Sequence, residues 1–543
     1  MTTQSIPGVV FASRAREGMQ RGVNQLVDAV RPTLGPCPRV VAVENTFRHR
    51  TPELLDNAGV ITRRIIELPD RDADVGAMLL RHTLWRVHEE AGDGTATAAI
   101  LFQAVYNRGM TYLAAGGDGQ RLRRYLERGL AAILAEIDRQ TLPVQGQAQL
   151  TELAGSLCFD EPLARILGEL FAIIGEHGPL EIRTGHGQAI ERRYIEGSYW
   201  RSDVLAQQLL TDQIQLRADL TDVAVLISDL ELDDPRALMP LVTAAMQQEI
   251  GSLLIFAASI SDPVMAMLLA AGRSSERFRA VAVKTPGLGL VEQAEVMEDL
   301  ATLTGGRRLL KVAGDSLRGV TLDDLGRARR AWCDRKHVGI ISGKGDPRAL
   351  RRQIAALKCR LEQIDEPQQR KALRQRIGRL SGGAAILTIG GATESEIALR
   401  EERAKRTTEL LRAALREGVV PGGGVALLAC RERLRAMLEA SADLDEQVAY
   451  RILIRALEEP LRVIASNAGY EPADVLAQLH GAPPGFGFDV RSGQVVAMAE
   501  AGIYDVAAAQ KAAIRGAISG AATALTVDTI VHKRNRDSAG GHP

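Results

Sequence analysis

One segment of the chain combines residue types that suit the binding of a phosphate group with its metal ion: Ala-Gly-Asp-Gly-Thr-Ala-Thr-Ala-Ala-Ile-Leu, from Ala91 to Leu101. The glycines beside Asp93 let backbone N–H groups approach a ligand, and the N-terminus of the following Ala-rich helix favours negative charge. Thr95 and Thr97 add hydroxyl donors, and the Asp93 carboxylate can hold a divalent cation. A purely structural explanation stays open at this point, because Gly-Asp-Gly turns commonly cap helices.

Two further glycine-rich segments could approach the same kind of ligand. Thr-Leu-Gly-Pro at residues 33–36 interrupts an apolar helical pattern over residues 23–30, and three consecutive glycines at 422–424 precede another apolar helix. A glycine triplet lets the backbone pass where any Cβ would collide with a ligand or a neighbouring strand. A tight turn explains each segment taken singly, whereas all three in this order form a specific combination.

The elements around these segments are of two kinds. Ala-rich amphipathic helices are predicted at both ends of the chain, over about residues 8–138 and 417–535. Between them, β-branched runs such as 223–227 and 253–256 alternate with helical segments, which predicts an α/β layer. A chain of 543 residues is too long for one hydrophobic core and predicts two to four domains.

Charge and cysteine usage exclude several classes of protein. Lysine and arginine together number 67, as do aspartate and glutamate, so no net field favours nucleic acid or an anionic membrane. We find no signal peptide and no long uncharged apolar run, and we expect a cytoplasmic protein with neither nucleic acid nor membrane as partner. The five cysteines are scattered, and Cys333 with His337 lacks the second pair that a metal site needs.

Together, the three glycine-rich segments resemble the group I chaperonins, the GroEL-type 60-kDa chaperonin family. The resemblance covers nearly the whole chain and includes five further motifs, at residues 22–24, 283–289, 299–306, 392–394 and 502–505. It implies an α+β multidomain subunit with three domains. These are a mostly helical equatorial ATP-binding domain (1–140 and 417–543), a small α/β intermediate hinge domain (141–196 and 383–416) and an inserted α/β apical domain (197–382).

The resemblance implies that ATP and Mg²⁺ bind in the equatorial domain. The positions that match the family's nucleotide site are Thr33, Leu34, Gly35, Pro36, Asp93, Gly94, Thr95, Ala96, Thr97, Gly423, Asp489, Val490, Arg491 and Asp505. Among them, Asp93 would hold the metal ion, and Asp505 would accept hydrogen bonds from the ribose hydroxyls. Two stretches depart from the family, Cys37-Pro38-Arg39 in the first loop and Asp489 to Arg491 near the base, so nucleotide affinity could differ.

Hydrolysis in the family depends on two aspartates, and this chain departs at both places. Counting without gaps along the hinge helix puts Arg406 where the family has the Asp that positions the attacking water. The second place is taken by Ala58, while Asp56 lies two residues earlier in a longer hairpin that could return it to the site. We therefore expect ATP binding with impaired hydrolysis. In the alternative, Arg406 faces solvent and another group does this work.

The resemblance also implies an apical surface for non-native polypeptides and for a GroES-type co-chaperonin lid. The positions assigned to this surface are Val204, Leu209, Met239, Val242, Met265, Leu269 and Ala270. Unbranched methionine adapts to many partners, although core packing explains such apolar stripes equally well. Because the loop at 203–209 lacks the family's three aromatic residues, client range or lid affinity should differ.

The expected protein is thus a chaperone that binds non-native proteins. We expect either a homo-oligomer of two stacked heptameric rings or a mixed ring with a paralogue. The alternative is a non-catalytic structural or specialised paralogue that co-assembles with an active chaperonin. A conventional metabolic enzyme is disfavoured, because no nucleophile, base and orienting group stand out together.

Overall fold

The computed structural model describes residues 8–36, 39–44, 52–185, 187–195, 197–210, 212, 216–274, 278–364, 366–382 and 384–532. The departure noted at Cys37 and Pro38 lies outside these residues. The chain divides into two compact units. The first unit comprises Met1–Ala172 with Ala398–Pro543, and the second unit comprises Ile173–Ile397. The finer division into equatorial, intermediate and apical domains stays a prediction.

The helices of the described residues are α1 (Ala12–Val30), α2 (Ala58–Arg64), α3 (Arg71–Ala91), α4 (Thr95–Ala114), α5 (Gly119–Gln140), α6 (Gly146–Cys158), α7 (Glu161–Ile174), α8 (Pro235–Gln247), α9 (Asp262–Ser274), α10 (Leu290–Thr304), α11 (Pro347–Gln363), α12 (Pro367–Ser381), α13 (Glu394–Glu417), α14 (Val425–Ala440), α15 (Leu444–Ala456), α16 (Glu459–Asn467), α17 (Pro472–Gln478) and α18 (Ala507–Ala524). None of them combines the length and the apolar character that a membrane-spanning segment requires.

The strands of the described residues are β1 (Val9–Phe11), β2 (Val41–Val43), β3 (Glu53–Leu55), β4 (Leu180–Thr184), β5 (Glu191–Ile195), β6 (Ser198–Arg201), β7 (Ala218–Ser228), β8 (Glu231–Leu232), β9 (Ser252–Ala257), β10 (Ser259–Ile260), β11 (Arg279–Lys284), β12 (Arg308–Leu309), β13 (Gly326–Cys333), β14 (His337–Gly343), β15 (Ala384–Ile389), β16 (Val419–Pro421), β17 (Phe486–Asp489), β18 (Gln494–Ala497), β19 (Tyr504–Val506) and β20 (Thr529–Val531).

Small residues allow the helices of the first unit to pack closely. Helices α1, α3, α4, α5 and α18 share one apolar core, and α18 contributes mainly alanines to it. Where α1 crosses α3, a Cβ on Gly22 would lie 1.7 Å from the Ala73 carbonyl oxygen, so only glycine fits. Four short two-stranded sheets, β1–β20, β2–β3, β16–β19 and β17–β18, lie at the borders of this helical core.

A larger sheet organises the second unit. Its strands follow the order β11-β9-β7-β13-β14-β6, and β12 pairs with β7. Strands β11, β9 and β7 are parallel, whereas β7, β13, β14 and β6 are antiparallel. Helices α8 and α9 share the apolar core on one face, and α10 contributes to the core on the other. The combination of a helical unit with a mixed-sheet unit agrees with the predicted α+β class.

A buried ion pair joins α12 to α10 in the second unit. The Arg376 Nε and Nη2 atoms donate to the two Asp299 carboxylate oxygens at 3.0 and 2.8 Å. The Asp299 side chain is 0% exposed and that of Arg376 is 6% exposed. Glu295 and Glu298 also contact the Arg376 guanidinium, at 3.0 and 3.2 Å, and Gln353 donates to Asp299. Both carboxylate oxygens of Asp299 therefore accept hydrogen bonds, as a buried carboxylate requires.

Candidate functional site

A cavity of about 860 Å³ lies in the first unit. This volume falls in the range of about 300–1,000 Å³ that is typical of small-molecule sites. Its wall contains every position predicted to bind nucleotide, namely Thr33, Leu34, Gly35, Pro36, Asp93, Gly94, Thr95, Ala96, Thr97, Gly423, Asp489, Val490, Arg491 and Asp505. Asp56, Ala58 and Arg406 line the same cavity. The fold therefore brings together segments that are far apart in sequence, while the role of each residue stays a prediction.

The turn between α3 and α4 gives the cavity a helix N-terminus. Gly92 and Gly94 adopt left-handed conformations, with φ of 72° and 79°, which place Asp93 between the two helices. Within the part of the chain that the structure describes, no side chain caps the N-terminus of α4, so its first N–H groups remain available to a ligand. Thr95, at the first position of α4, is only 3% exposed, and its Oγ1 has no hydrogen-bond partner among the described residues. An uncapped helix N-terminus beside an unsatisfied hydroxyl suits an anionic ligand.

The glycine triplet and Asp505 meet through a short sheet. Strand β16 leads into the triplet and pairs antiparallel with β19, so that Val420 lies opposite Asp505. Gly423 and Gly424 have φ of 67° and 82°, and a Cβ on Gly423 would lie 2.7 Å from the Met498 methyl carbon. The left-handed conformations of Gly423 and Gly424 therefore explain two glycines of the triplet by backbone geometry alone.

Asp505 is a desolvated acceptor in this cavity. Its Oδ2 accepts a hydrogen bond of 2.8 Å from the Gln510 Nε2. Burial, together with the nearby Asp93 carboxylate, raises the pKa of Asp505 to about 7. A hydroxyl-rich ligand would supply the donors that this carboxylate lacks.

The Thr33–Pro36 loop is held in place by its neighbours. The Asn467 amide donates to the carbonyl oxygens of Arg31 and Leu34, at 3.0 and 2.8 Å. The Asp489 carboxylate accepts from the Arg491 backbone N–H, and the Arg491 guanidinium donates to the Pro36 carbonyl oxygen at 3.4 Å. Arg491 therefore bridges two walls of the cavity and is itself exposed.

Asp56 lies in the cavity wall, but its carboxylate is already paired. The Arg403 Nη2 donates to the Asp56 Oδ2 at 2.8 Å, and the Asp56 side chain is 5% exposed. Ala58 begins α2, which is capped by the Asn57 side chain through the Gly59 N–H. Asp56 therefore lines the cavity, and its carboxylate is held in an ion pair with Arg403.

Arg406 also lies in the cavity wall, not on a solvent face of α13. Its Nη2 donates to the Leu157 carbonyl oxygen at 3.2 Å. Its Nε is buried and has no hydrogen-bond partner among the described residues. The guanidinium therefore retains donors for a ligand.

Three charged residues of α13, namely Arg400, Glu402 and Arg403, were not predicted from the sequence to belong to this site. Arg400 forms an ion pair with Asp160 at 2.9 Å. Arg400, Arg403 and Arg406 follow one another along α13 at spacings of three residues. Burial raises the pKa of Glu402, which lies within electrostatic range of Arg406 and Asp56. The regular spacing of the arginines is visible in the sequence. Their partners are hundreds of residues away, so the sequence does not indicate which groups the arginines contact.

The donor set suits a magnesium ion that arrives with a phosphate ligand. Among the described residues, no group of three or more His, Cys, Asp or Glu side chains could hold a metal ion by itself. Mg²⁺ commonly takes one or two carboxylates and completes its shell with water and phosphate oxygens. Asp93 beside the N-terminus of α4 fits that requirement.

The residues assigned to client binding divide into exposed and buried groups. In the second unit, Met239 is 47% exposed, Ala270 is exposed, and Val204, Met265 and Leu269 are half-buried. Val242 and Leu209 are instead buried in the core that α8 and α9 share with the sheet. The expectation that these last two offer contact surface is corrected, because their side chains are needed for packing.

The family of the chain follows from comparison with known proteins. The model of the TCP-1/cpn60 chaperonin family matches residues 26–535, and the chain belongs to this family. Two crystal structures of the chaperonin gp146 from the bacteriophage EL 2 (Pseudomonas aeruginosa), both in the presence of ATP-BeFx, are similar in fold. Crystal form I aligns 97% of this chain with 99% of that chain, at a TM-score of 0.65 and 19% identity. Crystal form II aligns 98% with 100%, at a TM-score of 0.60 and 19% identity.

Proposed function

We propose that this protein is an ATP-binding chaperonin of the group I type that binds non-native polypeptides and hydrolyses ATP slowly. The observation that carries the proposal is that residues of every predicted nucleotide-binding segment line one and the same cavity. The similar phage chaperonin was crystallised in the presence of ATP-BeFx, which supports nucleotide as the ligand.

Within the cavity, each group has a proposed task. Asp93 holds Mg²⁺, and Thr95 with the N-terminus of α4 binds the phosphates. Asp505 accepts hydrogen bonds from the ribose hydroxyls, and residues 489–491 lie near the base. The bound metal ion supplies charge neutralisation for the phosphates. Slow turnover is supported by the pairing of Asp56 with Arg403 and by the absence of a carboxylate at position 406.

Open strand edges support assembly into rings. The β1–β20 and β2–β3 sheets have only two short strands each, and such pairs are marginally stable alone. Phe11 on β1 is 66% exposed and Leu54 on β3 is 65% exposed. A second copy of the chain would cover these edges. We propose two stacked heptameric rings, with a mixed ring containing a paralogue as the alternative.

Charging these edges is expected to weaken the assembly. In Phe11→Asp and Leu54→Asp, a carboxylate would have to be buried at the contact, which is costly without a partner. Light scattering should show a large particle for the parent and for Val312→Asp, an exposed apolar site in the second unit, and smaller particles for the two edge variants. Edge variants with the parent's mass would contradict this interface. A parent that assembles only with another chaperonin would favour the mixed ring.

The client surface gives the direct test of chaperone function. We propose that Met239, Met265, Leu269 and Ala270 contact non-native chains, and that a GroES-type lid competes for the same surface. Burial of one apolar side chain contributes about 1.5–3 kcal/mol. Met265→Glu and Leu269→Glu are therefore expected to lose most suppression of aggregation of an unfolded test protein. Leu288→Glu, at a fully exposed position of the second unit, is the control. Equal suppression by all three variants and the parent would show that the surface is wrongly placed.

A further inference from the structure

We propose that Arg406 contacts the terminal phosphate of the bound nucleotide and makes the cavity selective for nucleoside triphosphates over diphosphates. The inference rests on the proposed function, since it needs a nucleotide in the cavity. The resemblance alone does not provide it, because the family has an aspartate at this position.

The three arginines Arg400, Arg403 and Arg406 of α13 differ in their hydrogen-bond partners. Arg400 and Arg403 each pair with a carboxylate, at 2.9 and 2.8 Å. Arg406 instead donates to the Leu157 carbonyl oxygen, and its buried Nε has no hydrogen-bond partner among the described residues. A guanidinium carries five N–H donors, so most of those of Arg406 stay available. A buried donor without an acceptor is costly, and a ligand oxygen would relieve that cost.

Arg406 lines the same cavity as the proposed phosphate-binding groups. Arg406 and Asp93 both line the cavity. Both charges also act on the His88 imidazole, whose pKa burial lowers, the Asp93 carboxylate raises and the Arg406 guanidinium lowers. Thr95, which is buried and has an unpartnered hydroxyl, lies in the same wall. An anion at the N-terminus of α4 is therefore in the neighbourhood of a positive charge on α13 as well as of the helix dipole.

Arginine binds phosphate through parallel N–H···O hydrogen bonds, and its charge does not depend on pH in the physiological range. A diphosphate lacks the outermost phosphate group, so a residue that contacts only that group discriminates between the two nucleotides. Hydrogen bonds to charged groups contribute enough for a change of about 10- to 100-fold in affinity.

The test compares affinities of the full-length protein for ATP and ADP, each with Mg²⁺, by equilibrium binding. The parent is expected to prefer ATP. In Arg406→Gln, ATP affinity should fall about 10- to 100-fold while ADP affinity changes less than about twofold, and Arg406→Lys should be intermediate. Arg416→Gln, at an exposed position of the same helix, should match the parent.

The outcomes separate the inference from the function beneath it. Equal losses for ATP and ADP in Arg406→Gln would overturn the role of Arg406, although the parent would still be a nucleotide-binding protein. A parent that binds neither nucleotide would overturn both proposals. Loss confined to ATP, with partial rescue by lysine, supports the terminal-phosphate contact, since a purely structural role would affect both nucleotides.

Discussion

Arg406→Asp is expected to raise the rate of ATP hydrolysis at saturating Mg-ATP by about 10²–10⁴-fold, the usual contribution of a positioned base or water-orienting group. Phosphoryl transfer depends on positioning and charge, and an arginine can neither accept a proton nor orient water through a carboxylate. Position 406 and the N-terminus of α4 line the same cavity, so an aspartate at 406 would face the cavity that contains the proposed phosphate site. Phosphate release over time, measured at nucleotide concentrations that saturate each variant, separates this gain from any loss of affinity.

Three variants serve as controls for this expected gain. Arg406→Ala removes the guanidinium without adding a carboxylate, and its rate should stay low. Asp93→Ala should abolish metal-dependent nucleotide binding in both the parent and the Arg406→Asp background. Arg403→Gln frees the Asp56 carboxylate, and a rise in its rate would identify Asp56 as a second water-orienting group. A parent that already turns over at the ordinary family rate, and is unchanged by Arg406→Asp, would contradict the assignment of position 406.

Much of the candidate site follows from local sequence. Gly94 and Gly423 both adopt left-handed conformations, which explains why glycine occurs there. Such turns have short-range signatures, because one residue's backbone freedom decides them. Their meeting in one cavity was accessible only through the resemblance, since residues 93 and 423 are brought together by the packing of the whole helical unit.

The features that could not be predicted depend on tertiary packing. The Arg403–Asp56 pair joins residues 347 positions apart, and no periodic pattern specifies such a partner. Val242 on α8 shows a related limit, because apolar periodicity identifies the apolar face of a helix without showing whether another element covers that face. Whether a face of α8 is covered depends on the sheet against which α8 and α9 pack, and the strands of that sheet lie elsewhere in the sequence.

Arg376→Met is expected to lower the free energy of unfolding of the second unit by about 3–5 kcal/mol, the usual cost of breaking a buried ion pair. The variant leaves Asp299, whose side chain is 0% exposed, without its bidentate partner. Glu295 and Glu298 are 30% and 45% exposed, so water solvates them when the arginine is lost. The penalty therefore falls mainly on the single buried carboxylate, which must be desolvated unpaired or take up a proton.

Urea unfolding followed by tryptophan fluorescence measures this loss, since Trp200 and Trp332 are buried in the second unit. Arg352→Met, at an exposed position of α11, is the control and should change stability by less than about 0.5 kcal/mol. The double variant Arg376→Met with Asp299→Leu removes both charges, and it should recover most of the loss because an apolar pair of similar volume needs no desolvated partner. A double variant as unstable as Arg376→Met would mean that packing of the arginine stem, and not the unpaired charge, causes the loss.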